Sequence, residues 1–286
     1  MSATELTEPP STRALYARAV RGAVGRRAGD ALPERRLALR DVAIDRDHLA
    51  AYDEVCGFRL GDELPPTYLH VVAFPLAMEL MTARDFPFGV IGLVHVANRI
   101  EQRRALTPGE RPSIECRAER LRPHRRGRQF DVVAEARAGG ETVWTERSTY
   151  LRREKSPPGD APREDEEEPE PPREPRAWIE APKDVGRRYG AVSGDRNPIH
   201  ISGAAARLFG MPGTIAHGMW MKARCLAALE GQLPAACAAD VSFRAPLRIP
   251  GRAGLAAQRS GPDVAFALRG SDGERLHLSG SAGPLR

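Results

Sequence analysis

The sequence predicts an α+β fold made of two similar halves. Three observations carry this: apolar stretches with helical spacing are followed by runs of strand-like segments, that order occurs twice, and an acidic, proline-rich stretch lies between the two runs. Helix followed by a run of strands is unlike the alternation that builds a parallel sheet.

In the first half, a short helix around Tyr52 precedes a loop. A longer apolar helix follows from Leu69 to Met81, then strands over Ile91 to Ile100, Ser113 to Arg120, Phe130 to Ala138 and Thr142 to Leu151. Pro75 is expected to interrupt the long helix, and a kink there would open space beside Phe74, Met78 and Met81, which are candidates to line a tunnel. Residues 152–177 contain Arg163-Glu164-Asp165-Glu166-Glu167-Glu168-Pro169-Glu170-Pro171-Pro172, which has too little apolar surface to offset its ordering entropy. This segment is expected to be an extended linker. In the second half a short helix near Tyr189 leads to a loop, and the long helix runs from Ile215 to Leu229. Strands follow over Ala239 to Arg244, Gly254 to Gln258, Val264 to Arg269 and Leu276 to Ser281, with turn signals at Gly139-Gly140 and Asp272-Gly273. The expected division is 1–151, a linker at 152–177, and 178–286.

The halves resemble each other in residues as well as in order. Tyr52-Asp53-Glu54-Val55-Cys56-Gly57-Phe58 parallels Tyr189-Gly190-Ala191-Val192-Ser193-Gly194-Asp195. Thr67-Tyr68-Leu69-His70 parallels Thr214-Ile215-Ala216-His217, and Pro108-Gly109 parallels Pro250-Gly251. Three matches in one order argue for duplication.

Composition bounds the function. The 286 residues, 41% hydrophobic, allow one large or two ordinary domains. No apolar run approaches the ~20 residues of a membrane span. Met1 to Arg21 lack the apolar centre of a signal peptide, so a cytoplasmic location is expected. Cys56, Cys116, Cys225 and Cys237 have no CxxC spacing, which indicates neither a zinc site nor a disulfide framework. The net charge is +5 and nearly all of the positive charge is arginine. His124-Arg125-Arg126-Gly127-Arg128 could grip phosphates, an acidic carrier protein or nucleic acid, but no nucleic-acid-binding signature accompanies it.

The chemistry concentrates in Gly194-Asp195-Arg196-Asn197-Pro198-Ile199-His200. Asn197 and Pro198 suit a helix start, which explains the turn but not the flanking Asp195 and His200. A carboxylate can take a proton from water, and a neutral imidazole can hold that water. Seventeen positions further on, His217-Gly218 opens the apolar helix. Gly218 leaves its backbone N–H open to a ligand at the positive end of a helix dipole, where it could stabilise a developing oxyanion. His217 is expected mainly to shape that turn, with a direct contact to substrate as the sharper reading.

Tyr189 through His200, followed by Ala216-His217-Gly218-Met219, resembles the MaoC-like, (R)-specific enoyl-thioester hydratases and dehydratases. The two-unit layout is similar to the double hot-dog members of that family, in which two long helices are each wrapped by a curved antiparallel sheet. The resemblance implies that Asp195 and His200 are the catalytic pair, that Gly218 supplies the oxyanion amide and that Asn197 supports the loop; Asn197 and His217 are the expected substrate-binding residues. It implies an acyl-CoA or acyl carrier protein thioester as substrate, no metal or other cofactor, no nucleic acid, and admits a homodimer. Ser202 and Ala223 depart from residues common in the family, an acid and a serine respectively. A non-catalytic acyl-thioester binding protein is the alternative, and the intact Asp195 and His200 argue against it.

One active site per chain is expected. In the repeat alignment Phe58 matches Asp195, Glu63 matches His200 and Val71 matches Gly218. Phe58 to Thr67 spans nine positions, against nineteen from Asp195 to Thr214.

Overall fold

Helical spacing and strand alternation place the elements close to where the sequence puts them. The computed structural model describes residues 3–22, 29–154 and 170–286. The first half contains β1 (Thr4–Leu6), α1 (Thr12–Arg21), β2 (Arg36–Leu39), α2 (Arg46–Cys56), α3 (Tyr68–Thr82), β3 (Leu93–Gln102), β4 (Ser113–His124), β5 (Gly127–Ala138) and β6 (Glu141–Arg153). The second contains β7 (Pro175–Ala181), α4 (Val185–Ser193), α5 (Pro198–Ile201), α6 (Gly203–Leu208), α7 (Gly218–Ala228), β8 (Cys237–Phe243), β9 (Gly251–Ser260), β10 (Asp263–Gly270) and β11 (Leu276–Pro284). The architecture is α+β.

The strands form one continuous eleven-stranded sheet in the order β1-β2-β4-β5-β6-β3-β8-β11-β10-β9-β7. Without β1 this order is a mirror image about its centre: β2-β4-β5-β6-β3 meets β8-β11-β10-β9-β7. Each strand of one half thus has a counterpart in the other, and the halves join where the two counterparts β3 and β8 pair antiparallel, with Ala97 opposite Ser242 and Gln102 opposite Cys237. A seam of backbone hydrogen bonds leaves neither half with an open edge at the join.

Helix α3 is apolar on nearly every side and correspondingly buried. It packs on β2, β4 and β5. Pro75 lies within α3, and the helix continues through it rather than ending there. Helix α7 starts later than its apolar pattern suggests. Ile215 bridges to Arg248, and the Ala216 N–H donates to the Leu247 carbonyl at 2.8 Å, so these residues are extended instead of helical. The repeated short helices α2 and α4 stop alike, at Gly57 (φ 76°) and Gly194 (φ 72°), in the left-handed conformation that glycine adopts without steric cost.

Five elements had no clear sequence signal: β1, α1, β2, β7 and α6. Strand β7 begins at Pro175, inside the stretch expected to be linker, and Trp178 within it lies 3.9 Å from the Arg252 guanidinium. Arg152 and Arg153, at the other end of that expected linker, belong to β6, and its residues 155–169 lie outside the described residues. All four cysteines are buried and free. The Arg-rich hairpin between β4 and β5 is partly consumed by structure, since Arg128 pairs with Glu154 at 2.8 Å and lies over Phe88. Among the described residues no helix is long and apolar enough to cross a membrane.

Candidate functional site

The loop carrying Asp195 and His200 lies directly on α4, and two glycines one helical turn apart make this contact possible. A Cβ on Gly186 would come within 1.9 Å of the His200 carbonyl oxygen, and one on Gly190 within 2.9 Å of the Asp195 carbonyl oxygen. Beyond the Gly194 cap, the chain turns at Asn197. Its side-chain oxygen accepts from the Ile199 N–H at 3.4 Å, and Pro198 opens α5. Asn197 therefore spends its side chain on the turn, while its own N–H donates to Asp195 Oδ1 at 3.1 Å. Ser202 likewise caps α6, accepting from the Ala205 N–H at 3.3 Å.

These constraints bring Asp195, His200 and His217 together. The His200 and His217 rings stack with centroids 3.7 Å apart. His200 Nδ1 lies 2.7 Å from the Ile215 carbonyl oxygen, which can only accept. The proton therefore sits on Nδ1, and in the neutral ring Nε2 carries a lone pair. His217 Nε2 donates to the Asp195 carbonyl oxygen at 3.0 Å and stands 3.9 Å from Asp195 Oδ2. Asp195 Oδ1 accepts from both the Asn197 N–H and the Tyr16 hydroxyl. Among the described residues Oδ2 has no hydrogen-bond donor.

Protonation follows from these contacts. Burial raises the Asp195 carboxyl, but the imidazoles of His217 and His200, the Tyr16 hydroxyl and the Asn197 amide outweigh it, and the net shift is downward. Burial lowers His200, opposed in part by Asp195 and the Ile215 carbonyl. Burial also pushes His217 down to about 3, with His200 adding to the effect. At neutral pH the cluster is thus one carboxylate beside two neutral imidazoles. One oxygen or nitrogen from each of Asp195, His200 and His217 lies within 4.8 Å of the others, as a metal site would require. Among the described residues the atoms of the three without a hydrogen bond are Asp195 Oδ2, His200 Nε2 and His217 Nδ1.

Gly218 is the first residue of α7, and no side chain caps that end. Its N–H therefore has no partner within the helix. A Cβ at Gly218 would meet the Phe243 ring at 3.1–3.2 Å, so glycine lets this aromatic wall close on the amide. The amide, Asp195 and His200 all line one cavity of about 230 Å3. The first half supplies much of the other wall, including Tyr16, Phe74, Met78, His95 and Tyr150. His95 stacks on Tyr150 at 4.7 Å and lies 5.0 Å from Phe243.

The chain is similar to known proteins in sequence and in fold. Residues 164–275 match the MaoC like domain. Over 233 residues the chain is 37% identical to 3-hydroxyacyl-thioester dehydratase X of Mycobacterium tuberculosis, covering 79% of this chain and 81% of that protein. The chain belongs to the MaoC-like dehydratase family. The crystal structure of HtdX from M. tuberculosis superimposes with a TM-score of 0.78 at 34% identity, covering 88% of this chain and all of that one. A MaoC-like dehydratase from Phytophthora capsici shares the hot-dog fold at 16% identity, with a TM-score of 0.70 over 90% of this chain and 96% of that one.

In this MaoC-like dehydratase all five residues singled out from the sequence, Asp195, Asn197, His200, His217 and Gly218, line the same cavity. Phe74, Met78 and Met81 line it as well. The sequence reading missed Tyr16, whose hydroxyl reaches Asp195 across 179 positions. The available signal was the spacing of Thr12, Leu15, Tyr16 and Ala19, which lies on one helix face. Also missed was a buried polar chain beside the cavity. Glu146 Oε1 accepts from His70 Nδ1 (2.8 Å) and Asn98 Nδ2 (2.5 Å), and Lys222 Nζ donates to Asn98 Oδ1 (2.5 Å) and the Ala239 carbonyl (3.0 Å). The pattern of His70, Asn98, Glu146 and Lys222 gives no sequence signal, because each sits on a different element.

Proposed function

We propose that this chain interconverts (3R)-3-hydroxyacyl and trans-2-enoyl thioesters, removing or adding water, with Asp195, His200 and the Gly218 amide as its working groups. One observation carries the assignment of roles: a carboxylate oxygen without a donor among the described residues, an imidazole lone pair and a helix amide with no partner within its helix line the same cavity. In the hydration direction, water donates one hydrogen to the His200 Nε2 lone pair as a hydrogen bond and gives its other proton to Asp195 Oδ2. Its oxygen then bonds to C3. The C2=C3 pair moves to C2, and the charge spreads onto the thioester oxygen, where the Gly218 N–H at the positive end of α7 stabilises it. The proton on Asp195 passes to C2. Dehydration is the reverse: Asp195 takes the C2 proton, the C3–O bond breaks, and the departing hydroxide recovers the proton as water. The low pKa of Asp195 keeps it ionised for the first step.

In this reading α3 and α7 are the two long helices of a double hot-dog, each wrapped by its own part of the sheet. The units are 1–151 and 178–286, joined by 152–177. The thioester is carried on CoA or an acyl carrier protein in cytoplasmic acyl metabolism, and a homodimer is the assembly to be checked by light scattering. His217 holds the Asp195 loop through its carbonyl and presents one ring edge to the substrate, while Asn197 shapes the turn beneath it. The test is hydration of crotonyl-CoA and longer enoyl-CoAs, followed by loss of the enoyl absorbance, with chiral analysis of the product. Tight binding of the thioester without turnover would favour the binding-protein alternative.

A further inference from the structure

Helix α1 stands outside the internal repeat, yet it closes the site of the opposite half. Three contacts seat it. Leu15 is buried in an apolar cluster with Phe74, Met78, Met81, Phe86, Phe88 and Phe130. Arg18 binds both carboxylate oxygens of Glu79 on α3. Thr12 lies against the Gly194 turn, where a Cβ on the glycine would be 2.9 Å from Thr12 Cγ2. The face between these anchors carries Tyr16, which lines the cavity and donates to Asp195 Oδ1.

We infer that Tyr16 is a positioning residue for the dehydratase reaction, fixing Asp195 through Oδ1 so that Oδ2 is the oxygen that exchanges the proton. The inference rests on the role proposed for Asp195. A carboxylate can rotate and present either oxygen. Here Tyr16 O–H and Asn197 N–H both occupy Oδ1, one from the first half and one from the loop itself, and a hydrogen bond to a charged acceptor is stronger than a neutral one. The titratable groups facing Asp195 are Tyr16 from α1, Tyr150 from β6, Tyr189 from α4, His200 from α5 and His217 at the start of α7. Of these, only Tyr16 donates a side-chain hydrogen bond to the carboxylate among the described residues. Its donation is one of the contacts that lower the Asp195 carboxyl, after burial is opposed by His217 and His200. The donor itself stays protonated, since burial and the neighbouring Asp195 raise the Tyr16 hydroxyl well above its ordinary value. The first half, which has no carboxylate–imidazole pair at the matching positions, thus contributes a group to the second half's site.

The experiment compares Tyr16→Phe, Leu15→Ala and Asp195→Asn in the full chain with an enoyl-CoA substrate, measuring kcat, KM and the pH profile of kcat, with thermal melting as a folding check. Tyr16→Phe is expected to lower kcat by ~10- to 100-fold, the range of a lost hydrogen bond to a charged group, with KM little changed. The acid limb of its kcat profile should move to higher pH, because the carboxylate loses a donor. Leu15→Ala loosens α1 but keeps the Tyr16 hydroxyl, so its acid limb should move in the same direction as that of Tyr16→Phe and by less. A Tyr16→Phe variant with parental kcat and acid limb overturns the inference. If Asp195→Asn is nearly inactive while Tyr16→Phe is silent, only the positioning role fails. If Asp195→Asn retains turnover, the reading of the whole site fails with it.

Discussion

The two halves share their strands, their order and a glycine-capped short helix, and they differ in what lies between the short helix and the long one. In the second half that connection is long enough to hold α5 and α6, and it lies flat on α4 because Gly186 and Gly190 leave room for it. In the first half the counterpart of Gly190 is Asp53, which is buried, its Oδ1 lacking a partner among the described residues. Burial, then the nearby Glu230, push its carboxyl up to about 7. The long helices differ as well. Counting by the repeat, α3 begins three residues earlier than α7. Gly218 is the first residue of α7, but its counterpart Val71 is the fourth residue of α3, where the amide is already bonded inside the helix. The comparison teaches what separates the halves structurally: only in the second does a loop lie against the short helix and the following helix start late enough to leave its first amide outside the helical hydrogen bonds.

That contrast can be broken by experiment. The largest effect should come from Asp195→Asn and His200→Ala, each lowering turnover at least ~100-fold with little change in melting. Phe58→Ala and Glu63→Gln, at the matching first-half positions, should leave turnover near the parent value. Phe58 stacks on Tyr52 and Glu63 is exposed, so neither sits in a reactive cluster. A severe loss from Glu63→Gln would put chemistry in the first half.

Binding stoichiometry sharpens the same point. Calorimetric titration with a tight, unreactive enoyl-CoA analogue should saturate at one site per chain. Two equivalent sites would remove the distinction between the halves.

Gly218→Ala should lower kcat on the order of 100-fold, as loss of an oxyanion donor does, because the new Cβ must push the Phe243 ring or the amide out of place. The reverse change in the first half, Val71→Gly, should gain no activity and cost about 3 kcal/mol through a buried cavity and helix entropy. A rise in activity from Val71→Gly would show that bulk alone silences that half.

The smallest effect is on stability with pH. His217 is held down to about 3 and His200 is also lowered, so the unfolded chain takes up protons near pH 6.5 that the folded chain refuses. Their contribution to stability is complete above the unfolded value and is lost as pH falls from there towards the folded values. Asp195, also lowered, adds a loss of the same sign further into acid. Melting should therefore drop as pH falls below 6.5, and His217→Gln should flatten that drop. An unchanged slope in His217→Gln would move the acid sensitivity elsewhere, with His95, pushed down to about 3 by burial, the first candidate.

The sequence by itself determined the α+β class, eight of the strands, the approximate places of α3 and α7, and the loop that bears the candidate site. Those features are local. Strand alternation, helical spacing and the Asp-Arg-Asn-Pro-Ile-His string each act within a few residues, so the order of the chain exposes them. Tertiary structure decided the rest. The pairing of β3 with β8 makes one sheet of the two halves, and no residue in either strand announces it. The His200 tautomer is set by a carbonyl at Ile215, reached only because that segment refuses to join α7. Tyr16 meets Asp195, and Lys222 meets Asn98, across 179 and 124 positions. Such contacts depend on where separate elements come to rest against one another, and that is fixed by packing rather than by spacing along the chain.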